Sequence, residues 1–481
     1  MRAGLLAFIF VSTAVLSQTR DENWKRCADN KSELSIRGCT ALIQSGKEAT
    51  QDLATAFYNR GNAYAGEGDY DRAIRDYDRA LQLNPNDGEA LNNRGSAHEH
   101  RKDYDRAIQD FDHALRLNPN YAQALNHRGL AYWEEKDYDR AIQDFDRSLR
   151  LNPNLTGALY NRGNAYLTMK DYDRAIYDFD QALRLKPSFA EALYNRGLAY
   201  AGKKAYDRAI QDYDQALQLN PNLAQAFNNR GTAYYNKKDY DRAIRDYDEA
   251  LRINPDFALA LSNRGLTYWE KREYDRAILD LDRALHLEPN DAGALYNRGR
   301  AYAEKREYDR AIQDFDQVLR LRPDVIDVYS SRGYALFVVG RFSAAEADLA
   351  KALDGQPLDA HHVLFLYLAR ARSGKDGRPL LDEASKRLDL KSWPIPVVRL
   401  YLGRSMPDEV LAAAAEGDAQ TKRAQSCEAS FYLGEEALLG KRQRDAADLF
   451  AEAISSCPVG TPEYAAAQAE LKQPTAAVAP H

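Results

Sequence analysis

The chain lacks most of the residues from which catalytic and metal sites are built. Its 481 residues include only 8 His and 4 Cys. No glycine-rich phosphate loop, nucleophile elbow or metalloprotease motif occurs in it, so nucleotide-dependent, serine-hydrolase and zinc-protease chemistry have no support. His98, His100 and His127 are the set whose spacing allows convergence from neighbouring segments, but His98 falls at a core position. His361 and His362 are adjacent, which on a helix sends them to different faces. No catalytic residue, metal or cofactor is therefore expected. A dominant sign of charge is also missing. The net charge is −6 with 29% charged residues, and runs such as Asp69-Tyr70-Asp71-Arg72 alternate in sign, which argues against nucleic acid as a partner. Long apolar runs are absent beyond residues 3–16, a stretch too short to span a bilayer comfortably.

That stretch follows Met1-Arg2 and precedes Val15-Leu16-Ser17, so residues 1–17 read as an export signal with small side chains at the cleavage point. A retained, uncleaved anchor is the alternative. No Cys stands beside the cleavage region to carry a lipid.

What the chain has in abundance is a 34-residue period. Pro85, Pro119, Pro153, Pro187, Pro221, Pro255, Pro289, Pro323 and Pro357 keep it, and a glycine keeps step from Gly61 to Gly333, so nine units run from Ala54 to Asp359. This period marks a stacked helix-turn-helix array, whose function lies in its surface. In the first unit Phe57, Gly61 and Tyr64 fall on one helical stripe and Tyr70, Ile74, Tyr77 and Leu81 on another. Gly61 and Ala73 are small enough to let the two helices approach. Pro85 lacks the N–H that a continuing helix needs, so the second helix stops before it.

Counting from Ala54, the unit supplies Phe57, Gly61, Tyr64, Ala73, Tyr77, Ala80 and Pro85 at positions 4, 8, 11, 20, 24, 27 and 32. This pattern resembles the tetratricopeptide repeat family, with Arg60 in place of the usual Leu at position 7. The resemblance implies an all-α fold, an α-solenoid in which tandem repeats form a right-handed superhelix. Arg60 and Asp76, with their eight equivalents each, read as a repeated structural ion network. The ninth unit drifts, with Leu336 for the Tyr and Leu349 for the aromatic, and the array ends there.

The flanks divide further. Residues 18–53 are expected to form a helical cap holding Cys27 and Cys39, and residues 360–426 an irregular helical segment broken at Trp393-Pro394-Ile395-Pro396. Gly434, Ala446, Phe450, Ala453 and Pro458 fit the repeat template again, so 427–472 reads as one more repeat and a capping helix, Tyr464 to Leu471. In that frame Cys427 and Cys457 stand at opposite ends of one antiparallel hairpin. Disulfides Cys27–Cys39 and Cys427–Cys457 are expected, in keeping with an exported, periplasmic protein. Residues 473–481 read as a disordered tail. This end of the chain, with Phe431-Tyr432-Leu433-Gly434, also resembles periplasmic repeat adaptors related to the NlpI lipoprotein family, from which it departs in having no lipid-carrying Cys.

The candidate binding surface is a column at position 6: Asn59, Asn93, Asn161, Asn195, Asn229, Asn263 and Asn297, interrupted by His127 and Ser331. Asn is a poor helix-interior residue, so helix formation does not explain it. Its amide pairs with the N–H and C=O of an extended peptide of any sequence, as in the asparagine ladder lining the concave face of some tetratricopeptide superhelices. Beside it stand Tyr58, Tyr160, Tyr194 and Tyr296 at position 5, and Trp133, Tyr235 and Trp269 at position 12. A second reading stays open, in which the Asn column braces one repeat against the next. The family's dicarboxylate clamp is not supported, because its Lys positions hold residues such as Thr55, Glu89, Gln123 and Glu191. The expected function is a non-enzymatic scaffold of the cell envelope that binds extended segments of other proteins, without an integral membrane span after signal cleavage. The alternative is a structural or self-associating component of an outer-membrane or cell-wall assembly. An aromatic groove also suits glycan strands.

Overall fold

A computed structural model describes residues 19–353, 359–388, 393–458 and 460–472, and among these every regular element is helical, with 27 helices and no strand. The expected signal at 1–17, Pro357 and the expected tail at 473–481 lie outside the described residues. No helix among those described is long and apolar enough to cross a membrane.

One repeat shows how the sequence builds the hairpin. Its first helix, Ala122–Glu134, buries Ala124, Leu125, Gly129, Ala131 and Tyr132, and its second, Tyr138–Leu151, buries Ala141, Asp144, Phe145, Ser148 and Leu149. A Cβ added to Gly129 would lie 2.8 Å from Cε1 of Phe145 and 3.1 Å from the Ala141 carbonyl, so the glycine sets how closely the helices pack. Burying the Phe145 ring contributes about 1.5–3 kcal/mol. The turn between the helices puts Lys136 at φ 65°, in the left-handed region. The Asp137 carboxylate then accepts from the Arg140 N–H and caps the second helix. That helix ends at Leu151, ahead of Asn152-Pro153.

The chain divides into two units, residues up to Pro221 and residues from Asn222 onward. The first holds helices Arg20–Cys27 and Ser32–Ser45, tied by the Cys27–Cys39 disulfide, and then five repeats. The first repeat's opening helix starts at Thr50, four residues ahead of Ala54, because nothing between them breaks the helix. The second unit holds the remaining four repeats and the C-terminal region.

In both units Arg at position 7 is the recurring polar bond. All nine pair with the position-23 Asp of their own repeat, from Arg60–Asp76 to Arg332–Asp348. The ion network expected from the sequence is present.

After the ninth repeat come helices Ala360–Arg372, Arg378–Ser385, Ile395–Tyr401 and Pro407–Ala414. A longer hairpin follows, Ala419–Leu439 with Gln443–Ser456, and then Pro462–Lys472. The hairpin's first helix begins at Ala419 rather than Cys427, capped by Asp418. The Cys427–Cys457 disulfide closes the hairpin, with Cα atoms 4.7 Å apart. A ring cluster of Phe365, Tyr401, Phe431 and Tyr432 forms the core here.

Candidate functional site

The residues singled out in the sequence lie on the first helices of successive repeats, and within each unit these helices stand side by side. The Asn side chains at position 6 are all partly exposed. The N–H groups of four of them turn to the preceding repeat. Asn93 Nδ2 donates to the Tyr58 hydroxyl at 3.2 Å and to Asn62 Oδ1 at 3.0 Å. Asn195 repeats the pattern with Tyr160 at 3.1 Å and Asn164 at 2.7 Å. Asn161 donates to Asn126 at 3.1 Å, and in the second unit Asn263 donates to Asn228 at 3.0 Å. These amides brace one repeat on the next. Their oxygens divide into two groups. Asn93 and Asn229 Oδ1 each accept from the Asn before them, at 3.1 Å, whereas among the described residues Asn161, Asn195 and Asn263 Oδ1 meet no donor. Asn59 lies 3.9 Å from the Cys27 sulfur, and Asn297 makes no side-chain hydrogen bond among the described residues.

The position-5 tyrosines serve both core and surface. Tyr58, Tyr160, Tyr194 and Tyr296 each tilt against the position-24 ring of their own repeat, with centroids 6.2, 6.1, 6.0 and 5.9 Å away. The Tyr58 hydroxyl also donates to Glu89 at 3.2 Å. At position 12, the Tyr235 hydroxyl donates to Glu270 at 3.2 Å. Trp133 and Trp269 are half-buried, and each indole N–H is buried without an acceptor. Such orphaned donors are rare in native proteins.

Among the described residues the three histidines do not gather into one ligand group, although His127, held down first by burial, also feels nearby His100. His98 is 8% exposed, with Nδ1 4.0 Å from Asp103; burial first, and neighbouring Arg94 and Arg106, hold its imidazole below the usual range despite nearby carboxylates. His100 stacks on Tyr70 at 4.5 Å, and His127 meets Phe111 edge-on at 5.7 Å.

The structure also places two groups that sequence reasoning did not find. Glu99, at position 12 between His98 and His100, is pushed up to about 7 by burial and by Glu134. Its only signal in the sequence is a carboxylate in a column of otherwise uncharged residues. The second group is built on His361 and His362. The helix-capping Asp359 meets both, His361 Nδ1 at 3.4 Å and His362 Nδ1 at 2.8 Å, and beyond it they diverge as expected, the His362 ring lying 5.3 Å from that of Tyr334. His361 Nε2 also lies 2.8 Å from Glu428, which accepts from the Trp393 indole at 2.7 Å. Burial opposes a charge on His361, but the bonds to Asp359 and Glu428 outweigh it and push the imidazole up to about 10. A charge held this firmly ties the segment after the ninth repeat to the last hairpin.

Family models of the tetratricopeptide repeat match residues 58–122, 103–155, 160–224 and 262–326, and a second model of that repeat matches 224–257. Together they span more than half of the chain. No curated protein matches it. Among solved structures it is similar to YrrB, described as a TPR protein with an unusual peptide-binding site, at 25% identity and TM-score 0.35 over 38% of this chain and 95% of that one. It is similar to MamA from Desulfovibrio magneticus RS-1 at 25% identity and TM-score 0.34, over 35% and 95% of the two chains. For PilF of Pseudomonas aeruginosa the figures are 22% and 0.40, over 43% and 95%.

Proposed function

The chain belongs to the tetratricopeptide repeat family, and on that premise we propose that it is an exported, periplasmic adaptor that binds an extended segment of another envelope protein along its first-helix face. Repeats of this family are protein-interaction scaffolds and generally not enzymes. The observation that carries the reading is the division of labour in the Asn column. Asn161 and Asn195 fasten neighbouring repeats through Nδ2 and keep Oδ1 free to accept a peptide N–H, with Tyr160 beside them. Bracing and binding are thus compatible uses of one side chain. Two disulfides support an oxidising compartment.

A photoreactive residue at Tyr194, followed by mass spectrometry of the captured envelope proteins, tests the reading. Capture of a discrete protein, lost when Asn161 and Asn195 become Ala, is the expected result. Capture of nothing, or only of this chain, overturns it. That last outcome would favour self-association, for which the second helices offer Tyr177 at 61% and Leu279 at 63% exposure.

A further inference from the structure

At one register the chain stacks a cation of its own on a tryptophan. Trp269 holds position 12 of its repeat, and the guanidinium of Arg300, at position 9 of the next, lies 3.6 Å over its ring. Tyr235, at position 12 of the repeat before, donates to Glu270 at 3.2 Å. The set contains one carboxylate and one cation, and its charges balance.

The same register recurs in the first unit with two changes. Trp133 and Glu134 stand where Trp269 and Glu270 do, but Asn164 replaces Arg300 and Glu99 replaces Tyr235. The cation is lost and a carboxylate is gained. Glu99 Oε2 and Trp133 Nε1 are both buried without a hydrogen-bond partner. Burial first, and then the nearby Glu134 carboxylate, raise both Glu99 and Tyr104, and the Tyr104 hydroxyl is hydrogen-bonded to Glu134. Among the described residues no Lys or Arg stacks on Trp133 or pairs with Glu99 or Glu134. Glu99 is half-buried and Glu134 exposed beside it, so the two carboxylates repel each other and Glu99 resists desolvation unless a positive group joins them.

We infer that Glu99, Trp133 and Glu134 form a pocket for an arginine side chain of the bound partner, in the place that Arg300 fills from within the chain at Trp269. Arginine fits better than lysine, because a planar guanidinium lies flat on an indole while its N–H groups fork to carboxylates. The inference rests on the first-helix face being a protein-binding surface, and it names the chemistry that the partner must carry there.

Labelling with 5-fluorotryptophan gives one fluorine resonance for each of the 4 Trp, and Trp133→Phe assigns the one that matters. Titration with N-acetyl-arginine amide is expected to shift the Trp133 resonance and leave Trp269 unmoved, while N-acetyl-norleucine amide shifts neither. The Glu99→Gln/Glu134→Gln variant should lose the response. Arg300→Asn, which copies the residue already tolerated at Asn164, should make Trp269 respond as a second site. An equal shift with the norleucine probe, an unchanged response in the double Gln variant, or an equal response of Trp269 in the native chain would overturn the inference. Partner capture from Tyr194 without any Trp133 response sinks this inference alone. A Trp133 response without capture leaves the arginine pocket standing and removes the adaptor reading.

Discussion

Arg128 grips Asp144 with two prongs, Nε to Oδ2 at 2.6 Å and Nη2 to Oδ1 at 2.7 Å. Its third nitrogen, Nη1, donates to Asp112 of the preceding repeat at 2.6 Å. One guanidinium therefore joins three helices, and Asp144 is 4% exposed. Truncating Arg128 to Ala strands that carboxylate and should cost about 3–5 kcal/mol. Arg128→Leu/Asp144→Ala removes both charges and should cost clearly less than the sum of its singles. Urea midpoints of the four proteins in this cycle would show it, and strict additivity would mean the pair contributes nothing.

Seven repeats place Lys or Arg at the left-handed turn position, with φ from 60° to 65°. L side chains lose roughly 1–2 kcal/mol there and glycine does not. Lys136→Gly should therefore stabilise the protein by about 1 kcal/mol, less the extra freedom glycine gives the unfolded chain. A thermal midpoint that falls would contradict it.

The Cys427–Cys457 link closes a loop of sequence separation 30 in a hairpin that ends the repeat pattern. By the chain-entropy model it contributes on the order of 3–4 kcal/mol. Cys427→Ser/Cys457→Ser should lower the protection of amides in Ala419–Leu439 against hydrogen exchange, while amides of the first five repeats keep theirs. Equal loss throughout the chain would show that the bond governs more than its hairpin.

Burial first, and repulsion from Glu428 second, push Glu463 up to about 7 from 4.5, and the Tyr432 hydroxyl donates to it at 3.3 Å. The folded state keeps a proton that the unfolded chain releases. The contribution is complete below about pH 4.5 and is lost as the pH rises through 7. His361 also faces Glu463, but its own loss comes higher, between pH 6.5 and about 10. Glu463→Gln should therefore flatten the fall in thermal midpoint between pH 5 and 7.5, a difference of up to roughly 3 kcal/mol. Parallel profiles for the two proteins would refute the assignment.

The repeat itself was legible from residue order, because each feature depends on neighbours within one unit. Gly129 against Phe145, Asn152-Pro153 after a helix, and Arg128 sixteen residues before Asp144 announce themselves by spacing. The candidate site was legible only in outline. Asn161 and Asn195 were found by their column, but nothing in the column says that Nδ2 is engaged while Oδ1 is not. The shared Asp359 partner of His361 and His362 was missed, because a helix-cap side chain reaches the second and third residues beyond it, whatever faces those residues later take.

By itself the sequence determined the all-α repeat, its period, its small-residue contacts and its Cys pairs, since these follow from short-range periodicity and local closure. Tertiary structure alone decided which charges are balanced. Arg300 neutralises its surroundings because stacking brings position 9 of one repeat onto position 12 of the one before, 31 residues back at Trp269. Glu99 and Glu134 become neighbours for the same reason. Burial then turns that adjacency into a cost, through the desolvation of charge, which no linear pattern records.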